Sequence, residues 1–398
     1  MSMGSWLAGL VTGVALAGLG LAVAGQGVMS ADQRVSETLE QISHFYVEAV
    51  DQEQLADKAL KGLVSSLDDY SKYLEGEDIR ALQEMADGHY SGLGLEVNFD
   101  DQQHLLVTQP IPESPAAKAG IQAGDRVLAI NGAAVAGKSL NALVASLRGA
   151  PKGEVNLDID RAGKMLRFQV APAEVEVHSV SAYPLDGDRL WLRISQFQYS
   201  TPAEVTQALK QHQPKAAILD LRGNPGGVFP AAVDLADLFL DKGPIVSTHG
   251  RADYANQVFD AKSGDPFESL PLLVLIDKES ASAAEILAGA LKDRGRALLL
   301  GEKSFGKGSV QSLIPLSDGN RALKITTAHY LTPNGLSIQG KGIEPDLKAG
   351  SLMGDAKLRS RMKSHYPLTH QAELAVGGEW ADDALLWEAL RFLEDQHV

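Results

Sequence analysis

Two short stretches hold residue types that could do covalent chemistry together: Ser280-Ala-Ser-Ala-Ala-Glu285 and Phe305-Gly-Lys-Gly-Ser-Val-Gln311. The first puts a serine where an apolar strand, Leu270–Ile276, is expected to turn into a helix, Ala283–Lys292. Free N–H groups at a helix N-terminus can hold an oxyanion, and the Ala283 N–H would point to where one forms. Ala281, Ala283 and Ala284 are small enough to let a substrate backbone approach. The second stretch presents Lys307 in a glycine-flanked turn, with Gln311 four residues later. A lysine can take a serine proton if burial lowers its pKa, and the apolar flanks Phe305 and Val310 permit burial. The Gln311 amide can accept from an ammonium or donate to a neutral amine, which suits an orienting role. Serine nucleophile, lysine base and backbone donors together would hydrolyse a peptide bond.

Each residue also has a plainer reading. Serines at helix starts are mostly N-caps, lysines between glycines are mostly solvated, and Gln311 alone would be an ordinary strand residue. Gly301-Glu-Lys-Ser-Phe-Gly-Lys-Gly308 fits the start of a phosphate-binding loop, but has Gly where Ser or Thr must meet Mg²⁺, and it precedes a hairpin rather than a helix. A histidine base is the other rival, from His249 or His329, yet nothing orients either recognisably. No His/Asp/Glu cluster has metal-ligand spacing. With 36 basic and 51 acidic residues, net −15, nucleic acid and anionic lipid are poor partners. Cysteine is absent, which removes disulfides and a thiol nucleophile.

The segments Ser280–Ile286, Gly306–Gln311, Thr326–Tyr330 and Thr332–Asp346 resemble the core of the carboxyl-terminal processing, or tail-specific, proteases. That resemblance runs from about residue 35 to about residue 348 and implies specific roles. Ser282 would be the nucleophile, Lys307 the general base and Gln311 its orienting partner. Lys307 follows Ser282 by 25 residues and Gln311 follows Lys307 by four, as in the family. The loop Asp220–Gly227 would supply a second oxyanion donor beside Ala283, from Gly226 or Gly227, with both open. Asp220 and Arg222 read as structural. One departure is Asp277-Lys278-Glu279, where the family more often has an Asn/Gly-rich lead into the nucleophile. It bears on loop shape and specificity rather than on the chemistry.

At this length, two or three domains are expected. Residues 1–30 read as a signal peptide or membrane anchor: no charge occurs from Trp6 to Met29, and Ala22-Val23-Ala24 fits a cleavage site, though no Lys or Arg precedes the run. Residues 31–87 read as helices, with Val35, Leu39, Ile42 and Tyr46 at helical spacing. Residues 88–172 resemble a PDZ domain. There, backbone amides at Leu93, Gly94 and Leu95 would hold a peptide's terminal carboxylate, and the helix Ser139–Leu147 puts Leu140, Leu143, Val144 and Leu147 on one face as a pocket wall. Asn131-Gly132 marks a hairpin. Residues 173–350 alternate strands and helices, as a mainly parallel α/β sheet requires, and end in a hairpin, Val310–Leu316 and Ala322–Leu331. Residues 351–398 form a helical tail, whose stripe from Trp380 to Leu393 suits either assembly or docking on its own core.

The expectation is therefore an α/β (α+β multidomain) chain: a Ser-Lys protease core, an inserted PDZ domain and helical termini. It would be an exported serine endopeptidase of the periplasm or inner membrane that recognises free protein C-termini. No cofactor or metal is expected. A homo-oligomer formed through the terminal helices, and an adaptor or activator protein, are further expected partners. The alternative is a PDZ adaptor with a silent core.

Overall fold

The computed structural model describes residues 29–100, 102–148, 153–185, 188–350 and 383–395. The expected signal or anchor segment, and the start of the expected tail stripe at Trp380, lie outside the described residues. Among those described, no helix is long and apolar enough to cross a membrane.

The chain divides into two units, one ending at Tyr73 and one beginning at Leu74. The first carries α1 (Ala31–Phe45) and α2 (Gln52–Ser65). Local capping starts both helices. Ser30 N–H donates to the Gln33 side chain at 3.1 Å, and the Asp51 carboxylate accepts from Glu53 and Gln54 N–H. Strand β1 (Lys72–Glu75) straddles the boundary, and α3 (Gly76–Asp87) follows.

The second unit continues with β2 (His89–Gly92) and a six-stranded sheet made of β3 (Leu95–Phe99), β4 (Leu105–Pro110), β5 (Arg126–Ile130), β6 (Ala133–Ala134), β7 (Val155–Arg161) and β8 (Lys164–Val170). Two helices, α4 (Pro115–Lys118) and α5 (Leu140–Arg148), interrupt it. Asn131 and Gly132 take φ of 51° and 78°, the left-handed pair that a two-residue hairpin turn requires between β5 and β6. Strand β9 (Ala173–Glu176) returns to pair with β2.

The core then runs β10 (Val180–Leu185), β11 (Arg189–Ile194), α6 (Thr201–His212), β12 (Ala216–Asp220), α7 (Phe229–Asp237), β13 (Gly243–Gly250), β14 (Gln257–Ala261), β15 (Leu272–Ile276), α8 (Ala283–Asp293) and β16 (Leu298–Gly301). It ends with β17 (Ser309–Pro315), β18 (Arg321–Leu331), β19 (Leu347–Lys348) and α9 (Ala384–Asp395). One sheet has the order β10-β11-β12-β15-β16-β19, parallel except at β10. Alternation along its strands sends Leu192, Leu219 and Val274 to the face covered by α6, α7 and α8. Trp191, Ile218, Leu273 and Leu275 go to the opposite face. Burial on both faces explains why these strands read as continuous apolar runs. Strands β17, β18, β13 and β14 pair antiparallel in that order.

Helix α9 covers the second face. Its stripe, Leu386, Trp387, Ala389, Leu390 and Leu393, is buried against Trp191, Ile218, Leu273 and Leu300. Of the two readings left open for this stripe, docking on the chain's own core is the one found: its apolar side is packed on the sheet.

Candidate active site

Two loops leave the carboxyl ends of adjacent parallel strands: Leu221–Val228 after β12 and Asp277–Ser282 after β15. Ligands gather at that end of such sheets. The Leu221 N–H donates to Leu275 O at 2.9 Å, so the loops start side by side. Asp277, the apparent departure from the family pattern, organises its own loop. Its carboxylate accepts from the N–H groups of Gly223, Glu279 and Ser280. Ser280 Oγ reaches Leu221 O at 2.8 Å, so this serine is a tie between loops.

Ser282 stands at the first turn of α8 with φ 57° and ψ −114°. This lies outside the extended region of an ordinary N-cap. A non-glycine residue held at positive φ costs on the order of 1–3 kcal/mol and persists only where neighbours fix it. Here they do: Ser282 N–H donates to Glu285 Oε2 at 2.9 Å, and Ser282 O accepts from Glu285 and Ile286 N–H and from Tyr330 Oη.

Glu285 is the residue that sequence reasoning missed. It is 1% exposed, and its two oxygens take four donors: Ser282 and Lys307 N–H on Oε2, Ser304 Oγ and Gly306 N–H on Oε1. The carboxylate thus binds the Ser282 turn to the lysine loop. Its sequence signal was the Ser-x-x-Glu spacing of a capping box, which named the partner at Ser282 but not the three at 304, 306 and 307.

Ser282, Ala283, Lys307 and Gln311 border one cavity of about 400 Å³, together with Gly227, Ile286, Val310, Lys324 and Tyr330. Burial pushes the Lys307 amine below the ordinary lysine range; Lys324 nearby adds to the effect and Glu285 opposes it. The expected flank Phe305 is 57% exposed, whereas Val310 borders the cavity. Gln311 Nε2 donates to Ser309 Oγ at 3.0 Å and Thr326 Oγ1 at 3.2 Å, which fixes the amide plane beside Lys307.

The two glycines left open by the sequence separate cleanly. Gly226 N–H donates to Asn224 Oδ1 at 2.8 Å, so that amide is occupied. Gly226 instead permits contact, since a Cβ there would lie 2.7 Å from Ser282 Cβ. Gly227 borders the cavity, as does Ala283, whose N–H has no acceptor within its helix. Asn224 is fully buried; its Nδ2 donates to Ile194 O and its backbone carbonyl accepts the Ala281 N–H. Arg222 forks between Asp220 and Asp383, and Trp191 Nε1 also donates to Asp220, so this group joins the loop to α9. The histidines lie elsewhere. His249 and His329 are exposed cross-strand partners of β13 and β18, one residue out of phase with the inward Thr248 and Tyr330.

Comparison with known proteins decides the family. A carboxy-terminal-processing protease of Bartonella bacilliformis is 38% identical over 385 residues, covering 91% of this chain and 88% of that protein. This chain belongs to the carboxy-terminal processing proteases. The family model for peptidase family S41 matches residues 190–349, a PDZ domain model matches 106–161, and one for the N-terminal domain of the activating protease CtpB matches 23–78. Carboxy-terminal processing protease CtpB of Bacillus subtilis is 36% identical, covering 79% of this chain and 67% of that protein. A solved S41 protease from Bacteroides fragilis, with a TM-score of 0.51 at 18% identity, covers 76% of this chain and 85% of its own and shares the fold. The enzyme class is therefore that of a serine-type peptidase.

The PDZ domain of this family member has a second groove, of about 170 Å³, between β3 and α5. Gly92, Leu93, Gly94, Leu95, Val144 and Leu147 are among its lining. β3 ends the sheet order and, among the described residues, pairs with β4 alone, so its outer edge faces the groove. Leu143, expected in the wall, is fully buried in the PDZ core. A helical turn of 100° places Val144 toward the groove and Leu143 beneath it.

Proposed function

We propose that this chain is an exported serine endopeptidase that captures protein C-termini in its PDZ groove and cleaves with a Ser282–Lys307 dyad. Ser282 Oγ attacks the scissile carbonyl while the neutral Lys307 amine takes its proton. Gln311 orients the amine. The oxyanion is held by the N–H groups of Ala283 and Gly227, the Gly226 amide being occupied by Asn224. Collapse to the acyl-enzyme returns the proton to the leaving amine, and water then repeats the sequence to free the acid.

The observation that carries this reading is the meeting of a strained serine, a partly buried lysine and two helix- or loop-borne N–H groups on one cavity. In the groove, Leu93, Gly94 and Leu95 bind the terminal carboxylate through their amides, while Leu147 and Val144 contact its last side chain. Export rests on the uncharged run from Trp6 to Met29 and leads to the periplasm or the inner membrane. Tail-bearing proteins are the substrates. The match to the N-terminal domain of an activating protease favours an oligomer or activator contact through the N-terminal helices. Cleavage of an unstructured protein with an apolar C-terminus should fall at least about a thousandfold in Ser282→Ala, with tail binding unchanged. Turnover within tenfold of wild type would place the nucleophile elsewhere.

A further inference from the structure

Ser282 and Lys307 are joined twice through their main chains, once on each side of the α-carbons. Their N–H groups share Glu285 Oε2 at 2.9 Å each. Their C=O groups converge on the hydroxyl of Tyr330, 3.0 Å from Ser282 O and 2.5 Å from Lys307 O. A phenol has one proton to donate, so the two carbonyls share it. Without it, two carbonyl dipoles of like sign would face one another with no donor between.

Ser282 O already accepts from Glu285 and Ile286 N–H. The Tyr330 bond is therefore more than satisfaction of a lone carbonyl: it ties the start of α8 to the lysine loop. The tyrosine itself is well anchored. Its ring is 1% exposed and packs in the main core, and its N–H donates to Gly308 O at 2.9 Å, one residue beyond Lys307. Strand β18 thus grips the lysine loop at two successive carbonyls while touching the nucleophile residue with the same side chain.

We infer that Tyr330 is a positioning residue whose hydroxyl sets the separation of nucleophile and base by bridging their carbonyl groups. This rests on the Ser-Lys reading proposed above. Removing the hydroxyl frees the lysine loop to move outward and lets water reach the amine. The charged and titratable groups facing Lys307 are Lys324 on β18, Glu285 on α8 and Tyr330 itself. None changes in charge when Tyr330 becomes phenylalanine at neutral pH, so any shift of the lysine would report hydration and position.

The test is Tyr330→Phe in the full chain, with kcat and KM on a tail-bearing substrate measured across pH and expressed per folded molecule. His329→Ala, on the exposed face of the same strand, serves as the control. kcat should fall about tenfold to a hundredfold with KM within about twofold, the loss expected from a misplaced pair. The acid limb of kcat should move to higher pH by about half a unit or more, because a hydrated amine holds its proton more tightly. His329→Ala should match wild type. A purely structural tyrosine would lower the melting temperature and leave kcat per folded molecule and the limb in place; that result overturns the inference. Lys307→Ala separates the two readings. If it is active, the Ser-Lys proposal fails; if it is inactive while Tyr330→Phe behaves as wild type, only the positioning role fails.

Discussion

At the cavity bordered by Ser282 and Lys307, buried polar side chains give their hydrogen bonds to loop backbones: Glu285 and Tyr330 join the serine turn to the lysine loop, and the Asn224 side chain ties Gly226 to Ile194 O. At the PDZ groove the pattern is reversed. Apolar Leu95, Val97, Val144 and Leu147 form much of the lining, and the outer edge of β3 is left without a strand partner among the described residues. Under the proposed function, the contrast follows from what each place has to do. Proton transfer from a serine needs two groups held within fractions of an ångström, so polar valences there are closed internally. Capture of an extended chain end needs backbone groups still open for pairing, and a surface tolerant of several side chains.

The difference is broken most severely at Glu285. Glu285→Gln turns amide hydrogens toward donors from residues 282, 304, 306 and 307, so at least one buried donor loses its acceptor. Stability should fall by about 1–3 kcal/mol, and kcat by on the order of a hundredfold, in chemical melts and steady-state assays. Tail binding at the PDZ groove should be unchanged. Near-normal kcat would show that the loops hold their positions without the carboxylate.

A smaller effect sharpens the other side. Val144→Asp should weaken tail binding about tenfold, read by fluorescence anisotropy of a labelled peptide, with little loss of stability. Leu143→Ala, one residue away, should do the opposite: a cost of about 2–5 kcal/mol from a core cavity and normal affinity in the folded molecule. A C-terminally amidated peptide should bind several-fold more weakly than the acid. Equal affinities for acid and amide would show that the groove does not read chain ends.

Much of this was legible because it is local. The alternation of apolar strands and helices from 173 to 350, the Asn131-Gly132 turn and the Ser-Ala-Ser-Ala-Ala-Glu and Phe-Gly-Lys-Gly stretches are short-range patterns. What escaped depends on contacts across the fold. Gly226 and Gly227 differ only because the Asn224 side chain takes one amide. Leu143 and Val144 differ by one helical step, which periodicity at a pocket's edge cannot resolve. The stripe of α9 was apolar in either reading, and only the apolar second face of the sheet decided where it went. Glu285 and Tyr330 carried the motifs of a cap and a strand, while their partners are up to 48 residues distant.

The dyad is tested most directly by the pH dependence of kcat/KM for wild type, Lys307→Ala, Lys307→Arg, His249→Ala and His329→Ala on one tail-bearing substrate. Burial holds the Lys307 pKa below the ordinary lysine value, and the amine acts only when neutral, so activity should rise with pH through that lowered pKa. Both lysine variants should be inactive at every pH, since a guanidinium keeps its proton, while both histidine variants should keep the wild-type profile. An inactive His329→Ala beside a Lys307→Ala enzyme that still turns over, with an acid limb near the histidine range, would contradict the account.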